Sequence, residues 1–258
     1  MPTPPTDPDA GDSDAHGSGH ALGGVRQEMH DAIMSVEGHM LPAWKRVSAG
    51  EARWPVSAAV LAAIGLQFAL PERLTFAKSW ALPAVEGVVL LALTIINPGR
   101  ISKHSPSVRR TSLGLIAAMT FANIWSAAHL VRGLVLGMEG TDPTKLLLTG
   151  AAIWLTNVVV FSLWYWEFDR GGPGARAQAR HEHPDFMFPQ MQSPELAPHD
   201  WQPAFVDYVY LSFTNATAFS PTDTLPFSRW AKIMMMTQSA VSLVTVGLVI
   251  ARAVNILK

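Results

Sequence analysis

Residues 204–256 read AFVDYVYLSFTNATAFSPTDTLPFSRWAKIMMMTQSAVSLVTVGLVIARAVNI. The last part, residues 230–256, is an apolar run long enough to cross a hydrocarbon core, which takes roughly 20 helical residues. The first part, residues 204–219, is apolar but too short to cross, and a polar turn follows it. A short segment of this kind is tolerated in a membrane when it enters and turns back with its irregular backbone shielded by protein or lining water. The order of parts therefore predicts a re-entrant helix followed by a membrane-spanning helix.

Four further apolar segments precede this stretch. They approach spanning length, and tryptophans stand at several of their ends, where amphipathic rings favour the headgroup level. They run over residues 54–71, 80–97, 112–136 and 146–166. We therefore predict an all-α membrane protein with five transmembrane helices and a re-entrant pore helix and loop before the last helix. The alternative, a large soluble helical core, requires polar faces that these runs mostly lack.

The composition excludes several classes of function. Hydrophobic residues make up 49% of the 258 residues and charged residues only 15%, which is unusual for a soluble enzyme. Nineteen Lys and Arg against twenty Asp and Glu leave no basic field to hold nucleic acid. The chain has no cysteine, which excludes disulfides, thiolate metal sites and cysteine nucleophiles. Without a phosphate-binding loop or a nucleophile elbow, we predict no enzyme and no cofactor.

Polar segments divide the chain into predicted parts. Residues 1–24 are rich in Pro, Gly, Asp and Ser and predict a disordered tail, and residues 25–50 predict an amphipathic interfacial helix. Residues 51–140 form a three-helix N-terminal membrane domain, and residues 144–258 form a pore-like domain. The pore-like domain consists of an outer helix, a loop (168–203), a pore helix (204–219), a filter-like loop (218–223) and an inner helix (227–256). Histidines in the loop 168–203 fit no closed zinc pattern, so no metal site is predicted.

The segment 208–226 resembles the pore helix and filter of the potassium-channel superfamily. It aligns without gaps to the family pattern and has identical residue types at Phe213, Thr217, Asp223 and Pro226. The whole layout resembles bacterial inner-membrane proteins with a degenerate pore loop. The resemblance implies a homotetramer around a shared axis in the bacterial inner (plasma) membrane, with the lipid bilayer and a permeant ion as its other partners.

The filter itself departs from the potassium-channel pattern. Where that family has Thr-Val-Gly-Tyr-Gly, this chain has Ala218-Phe219-Ser220-Pro221-Thr222. Glycines let potassium filters turn successive carbonyls toward the ion, whereas proline fixes its φ angle and lacks a donor. We therefore predict passage of monovalent ions without potassium-type selectivity. The candidate groups are the hydroxyls of Thr217, Ser220 and Thr222, the Phe219 ring and the Asp223 carboxylate. Asp223 either faces the ion or holds the turn as a hydrogen-bond partner.

The inner helix carries a polar stripe. Gln238, Ser242, Thr245 and Arg252 fall on one helical face of an otherwise apolar segment. Such a stripe either lines a water-filled cavity or bonds neighbouring helices, with Arg252 reaching the interface. Both interpretations stay open at this point.

One acid lies within an apolar run of the N-terminal part. Glu86 is a functional candidate because ionisable groups inside a membrane rarely occur without a role. Counting helical rises from the shared loop places it near the depth of residues 123–129 on the third span. We therefore predict an intramembrane Glu86–His129 pair, either purely structural or sensitive to pH.

These features predict an ion channel of the pore-loop type. The alternative is a non-conducting membrane binding or scaffold protein that keeps the channel fold and contacts a partner through the loop 168–203. Potassium channels have their filter outside, which would put the amino terminus of this chain outside as well. Lys and Arg are more numerous on the side of the amino terminus, so the positive-inside rule favours a cytoplasmic amino terminus and a pore loop entering from the cytoplasm.

Overall fold

The computed structural model describes residues 41–96, 99–101, 105–138, 142–217 and 223–256. The chain divides into two units, Met1–Pro42 and Ala43–Lys258. The predicted tail and residues 25–40 of the predicted interfacial helix lie outside the described residues. Residues 43–50 do not continue such a helix, because they form a 3-10 turn and irregular backbone that ends at Gly50 with a φ of 81°. A positive φ is readily adopted only by glycine and ends the helical conformation.

The described part of the chain contains eight α-helices. In chain order they are α1 (Trp54–Phe68), α2 (Ala81–Ile96), α3 (Pro106–Val135), α4 (Pro143–Phe168), α5 (Pro173–Ala177), α6 (Pro189–Gln192), α7 (Phe205–Thr217) and α8 (Arg229–Ile256). Two antiparallel strand pairs join β1 (Glu51–Ala52) to β2 (Arg100–Ile101) and β3 (Phe186–Met187) to β4 (Leu225–Pro226). Short 3-10 turns cover Ala43–Lys45, Glu72–Leu74, Asp169–Gly171 and Pro194–Leu196.

Three of the described helices, α3, α4 and α8, are long and apolar enough to cross a membrane. This is the make-up of an all-α integral membrane protein. The helices α1 and α2 are apolar too, but they have 15 and 16 residues. At a rise of 1.5 Å per residue they are about 22 to 24 Å long, which is less than a hydrocarbon core of about 30 Å. Two of the five predicted spans are therefore shorter than a full crossing requires.

Helix starts follow from local sequence. Proline occupies the first turn of α1, α3 and α4, where the missing N–H has no intrahelical partner to lose. Asp142 caps α4, because its Oδ1 accepts hydrogen bonds from the backbone N–H groups of Thr144 (3.0 Å) and Lys145 (3.1 Å). The helix α3 begins at Pro106, six residues before the apolar run, because this proline favours a helix start in sequence that is still polar.

The helix α4 is the centre of the fold and packs against α1, α3, α7 and α8. Its C-terminal half is almost entirely buried, including Leu163 and Tyr165. In contrast, α8 buries only a narrow stripe against its neighbours, and the rest of its surface is exposed and largely apolar. Met236 is 71% exposed and Leu243 is 63% exposed. Most of α8 therefore faces lipid or further protein.

A glycine allows the close approach of α4 and α8. A Cβ atom at Gly150 would lie 2.8 Å from Cγ1 of Val249. We expect Gly150→Ala to lower the free energy of unfolding by about 1 to 3 kcal/mol, because a β-branched neighbour cannot yield without shifting a helix. The matched control is Gly114→Ala in α3, where no atom lies within 4 Å and alanine favours the helix. Thermal unfolding in detergent measures both, and equal unfolding temperatures for the two variants would contradict this account of the contact.

Candidate functional site

The helix α7 lies alongside the C-terminal half of α4. At its start the Phe205 ring contacts the Trp166 ring edge-on, with centroids 5.9 Å apart. Near its end the carbonyl of Ala216 accepts a hydrogen bond from Nε1 of Trp154 (3.4 Å). The contacts move backward along α4 as α7 proceeds, so the two helices are antiparallel. Twelve residues of α4 rise about 18 Å, and α7 therefore ends beside the middle of α4.

After α7 the chain returns to the end of α4 from which α7 started. Residue 226 pairs with Phe186 in the β3–β4 ladder, and the N–H of Phe227 donates to the carbonyl of Asp185 (2.8 Å). The ring Nε1 of Trp230 donates to Oδ1 of Asp185 (2.9 Å). The backbone of Asp185 in turn donates to Oδ1 of Asp169, directly after α4 (3.0 Å). Both ends of the segment 205–226 therefore lie at the C-terminal end of α4.

A buried amide connects the three helices of this region. Gln238 of α8 is fully buried, and its Nε2 donates to the carbonyl (2.9 Å) and to Oγ (2.7 Å) of Ser212 in α7. Its Oε1 accepts hydrogen bonds from the hydroxyl of Tyr165 (2.6 Å) and from Nδ2 of Asn215 (2.8 Å). A further link joins Oγ of Ser239 to the carbonyl of Asn215 (3.0 Å). This network holds α7 between α4 and α8.

The polar stripe of α8 thus faces its own subunit. Ser242 accepts a hydrogen bond from Nδ2 of Asn157 in α4 (2.9 Å), and Gln238, Ser242 and Thr245 are all buried. This placement corresponds to the interpretation in which the stripe bonds neighbouring helices. The interpretation as a cavity lining needs correction for these three residues, because protein atoms of the same chain already cover them. Arg252, on the same face, is half-buried.

The structure describes only the two ends of the predicted filter. Thr217 is half-buried at the end of α7, and its hydroxyl donates to the carbonyl of Thr214 (2.7 Å). Asp223 is exposed, and the next residue, Thr224, is buried. The other predicted filter residues, Ala218, Phe219, Ser220, Pro221 and Thr222, lie outside the described residues.

The predicted Glu86–His129 pair is wrong, because Glu86 bonds to Gln67 instead of His129. Oε2 of Glu86 accepts a hydrogen bond from Nε2 of Gln67 in α1 (2.6 Å), because α1 and α2 form a hairpin that brings these positions together. The ring of His129 stacks on Trp125, with centroids 4.4 Å apart, and its Nδ1 lies 3.0 Å from the Trp125 carbonyl. Gln67, the hydrogen-bond partner of Glu86, lines a small cavity together with Asn123 of α3.

Sequence reasoning missed a buried cluster of charges after α4. Asp169 is fully buried, and its Oδ2 accepts a hydrogen bond from the hydroxyl of Tyr208 in α7 (2.7 Å) and lies 3.6 Å from Nε of Arg170. A guanidinium nitrogen of Arg170 donates to the carbonyl of Trp44 (2.6 Å). The carboxylate of Asp169 therefore connects the start of the predicted loop to α7.

Arg176 extends this cluster to the amino-terminal strand. Its Nη2 lies 2.6 Å from Oε1 of Glu51, and its Nη1 donates to the carbonyls of Trp166 (2.6 Å) and Asp169 (2.9 Å). Burial lowers the pKa of the Arg176 guanidinium, but the Glu51 carboxylate raises it, and the net pKa lies above the ordinary value. The only sequence signal for the cluster is the run of charged residues and glycines directly after an apolar helix.

Comparisons with known proteins give no relative from which a function could be transferred. No model of a protein family, no curated protein and no solved structure matches the chain. Inference about function therefore rests on the geometry of the helices α4, α7 and α8 and on the chemistry of the residues between them.

Proposed function

We propose that this chain is a pore-loop ion channel that assembles as a homotetramer and passes monovalent ions without potassium-type selectivity. The observation that carries the proposal is the course of the segment 205–226, which descends to the middle of α4 and returns to the same end. A helix that ends at that depth leaves backbone carbonyls that need polar partners, because acyl chains offer none. A water-filled pore shared by several copies supplies them.

The helices α3, α4 and α8 are the full membrane crossings in this proposal. The helices α1 and α2 complete the five as a shorter hairpin beside α3. Their outward surfaces are apolar, with Leu61, Val85 and Val88 all more than half exposed. Such surfaces are suited to acyl chains. Local thinning of the bilayer accommodates helices of this length at a modest cost per ångström of mismatch.

Exposed apolar surface on the pore module supports assembly. On α7, Val206 and Tyr210 are more than half exposed, and Phe213 is 46% exposed although its ring contacts Trp154 of α4 edge-on. Most of the surface of α8 is exposed as well. Symmetry-related copies that meet at α7 and α8 would cover these surfaces and enclose the turn between them. The number of four follows from the resemblance to the potassium-channel superfamily.

The burial of the polar stripe changes where selectivity arises. Because Gln238 and Ser242 bond within the subunit and Thr245 is buried, the face of α8 left for a pore is largely apolar, including Leu243 and Ile250. An apolar inner vestibule gates by dewetting rather than by binding ions. Ion selection then depends on residues 217–223, where the exposed Asp223 carboxylate favours cations at the pore mouth.

Ion flux tests the proposal. We expect purified protein in liposomes to pass monovalent cations, and Asp223→Asn to lower the preference for cations over anions several-fold, because a ring of charge at the mouth is lost. We expect Phe219→Ala to change the rate of flux, because it removes a large aromatic side chain from the predicted filter. The matched control is Asp142→Asn, which removes an exposed carboxylate at the opposite end of α4. Flux equal to that of empty liposomes at every pH and voltage tested would contradict the proposal.

A non-conducting scaffold that keeps this fold is the second candidate function. The observation that favours it is the packing of the α8 polar stripe against α4 and α7, in which Gln238 and Ser242 bond to protein groups rather than to water. A tetramer without flux, together with a partner protein that binds through the loop 168–203, would support the scaffold and exclude the channel.

A further inference from the structure

A cavity of about 60 Å³ lies between α1, α2, α3 and the end of α4. It is separate from the polar network around Gln238, and the proposed function does not use it. Its deeper walls are apolar and include Val60, Leu93 and Leu115. At the end of the cavity next to the glycine-rich turn after α4, its lining is charged and includes Arg53, Arg109 and Glu167.

The charged end of the cavity has two arginines and one glutamate, which leaves an excess of one positive charge. Arg53 is only 7% exposed, and its Nε has no hydrogen-bond partner in the described part of the chain. The Nε of Arg109 lies 3.5 Å from Oε1 of Glu167 and makes no hydrogen bond either, as far as the described residues go. Two guanidinium groups thus share one carboxylate at the cavity. The Nε of Arg53 is a buried donor without a hydrogen bond, and leaving such a donor unpaired costs free energy, so an anion supplied from outside would stabilise this arrangement.

Neighbouring charges do not supply that anion. The carboxylate of Glu51 is paired with Arg176, and the carboxylate of Asp169 lies against Arg170 and Tyr208. Glu167 is the only carboxylate among the described residues that line the cavity. Its charge opposes a multiply charged ligand, and the excess of one positive charge suits a singly charged group.

A glycine keeps the polar end of the cavity open. Gly172 has a φ of 94°, and a Cβ atom there would lie 3.6 Å from both Arg109 Nε and Glu167 Oε1 and 2.8 Å from the Glu167 carbonyl oxygen. A side chain at this position would clash with the Glu167 carbonyl oxygen and would also touch the Arg109–Glu167 pair at ordinary contact distance. The positive φ also makes glycine the residue that adopts this turn without strain.

We propose that this cavity binds a phosphate group, with Nε of Arg53 and Nε of Arg109 as donors. Guanidinium N–H groups form strong, charge-assisted hydrogen bonds to phosphate oxygens. The cavity holds the headgroup oxyanion rather than a whole lipid, because about 60 Å³ is room for only a few water-sized groups. The cavity lies where α4 ends and α1 begins, and the ends of these helices are where lipid headgroups would lie. The phosphate group can therefore come from an anionic phospholipid or from free phosphate in solution.

Binding is measured on the full chain by native mass spectrometry and thermal unfolding. The protein is prepared in bilayer discs of phosphatidylcholine alone, of phosphatidylcholine with phosphatidylglycerol, and of phosphatidylcholine with inorganic phosphate in solution. The variants are Arg53→Gln, which removes the buried guanidinium whose Nε has no hydrogen bond, and Ser112→Leu, which fills the cavity and keeps both arginines. The matched control is Arg110→Gln, which removes an exposed arginine next to Arg109.

We expect the wild type and Arg110→Gln to retain phosphatidylglycerol, and Arg53→Gln and Ser112→Leu to bind it at least about tenfold more weakly. A rise in unfolding temperature with inorganic phosphate that disappears in Arg53→Gln would also support the site and identify free phosphate as its ligand. Equal retention of phosphatidylglycerol by Arg53→Gln and Arg110→Gln, without any response to phosphate, would overturn the proposal. Ion flux does not enter this measurement, so its result is independent of the channel proposal.

Discussion

Replacing Gln238 with leucine is expected to lower the free energy of unfolding by about 3 kcal/mol. The substitution removes four hydrogen bonds to Ser212, Tyr165 and Asn215, all of them buried or half-buried. Individual hydrogen bonds between membrane helices contribute about 0.6 to 1.7 kcal/mol, and groups left unpaired in the interior add to the loss. For a chain of this size we expect the unfolding temperature in detergent to fall by about 6 to 12 °C.

The neighbouring residue gives a matched control for Gln238→Leu. Thr237 is exposed, and its hydroxyl bonds only the carbonyl of Ile233 in its own helix (2.9 Å). We expect Thr237→Val to change the unfolding temperature by no more than about 2 °C, since exposed substitutions away from such networks have small effects. If both variants unfold at the same temperature, the network does not hold α7 against α4 and α8.

Asp169→Asn is expected to have the other large effect. The substitution leaves the guanidinium of Arg170 buried without its carboxylate and weakens the acceptor of the Tyr208 hydroxyl. Breaking a buried ion pair from one side costs about 3 to 5 kcal/mol. Because this carboxylate connects α4, the strand β3 and α7, we expect lower thermal stability together with local opening of the loop 168–203.

Limited proteolysis separates local opening from global unfolding. Arg180 is exposed within this loop, so we expect trypsin to cleave after Arg180 faster in Asp169→Asn at temperatures well below unfolding. The matched control is Glu182→Gln, which removes an exposed carboxylate from the same loop. Cleavage at the wild-type rate in Asp169→Asn would mean that this carboxylate does not anchor the loop.

The length and polarity of segments predict much of the architecture. The run of residues 230–256, the shorter run of 204–219 and the run of 146–166 correspond to α8, α7 and α4 within a few residues. Helix length and apolar character are local properties, so they can be derived from the sequence. The runs at 54–71 and 80–97 are shorter as helices than as hydropathy segments because the chain turns at both of their inner ends.

The partners of polar residues are harder to predict. A polar stripe such as Gln238, Ser242 and Thr245 has the same periodicity whether it meets water or another helix, so the pattern predicts the face but not its environment. The ion pair between Arg176 and Glu51 joins residues 125 positions apart. No local pattern indicates such a contact, and the sequence therefore predicts an open loop where the structure has a buried cluster.

In the proposed channel, the chain after α7 lies beside its symmetry-related copies around a shared axis. Because the chain has no cysteine, Asp223→Cys introduces a single reactive thiol at the exposed end of this turn. The control is Trp80→Cys, exposed at the turn before α2 and distant from α7 along the chain.

A bis-maleimide cross-linker applied to native membranes tests the claim most directly. If four copies assemble around a shared axis, we expect the cross-linker to join Asp223→Cys chains into dimers. We expect Trp80→Cys to stay monomeric. A monomeric Asp223→Cys protein whose thiol is nevertheless labelled by a monofunctional maleimide would contradict it, because the turn would then be accessible but alone.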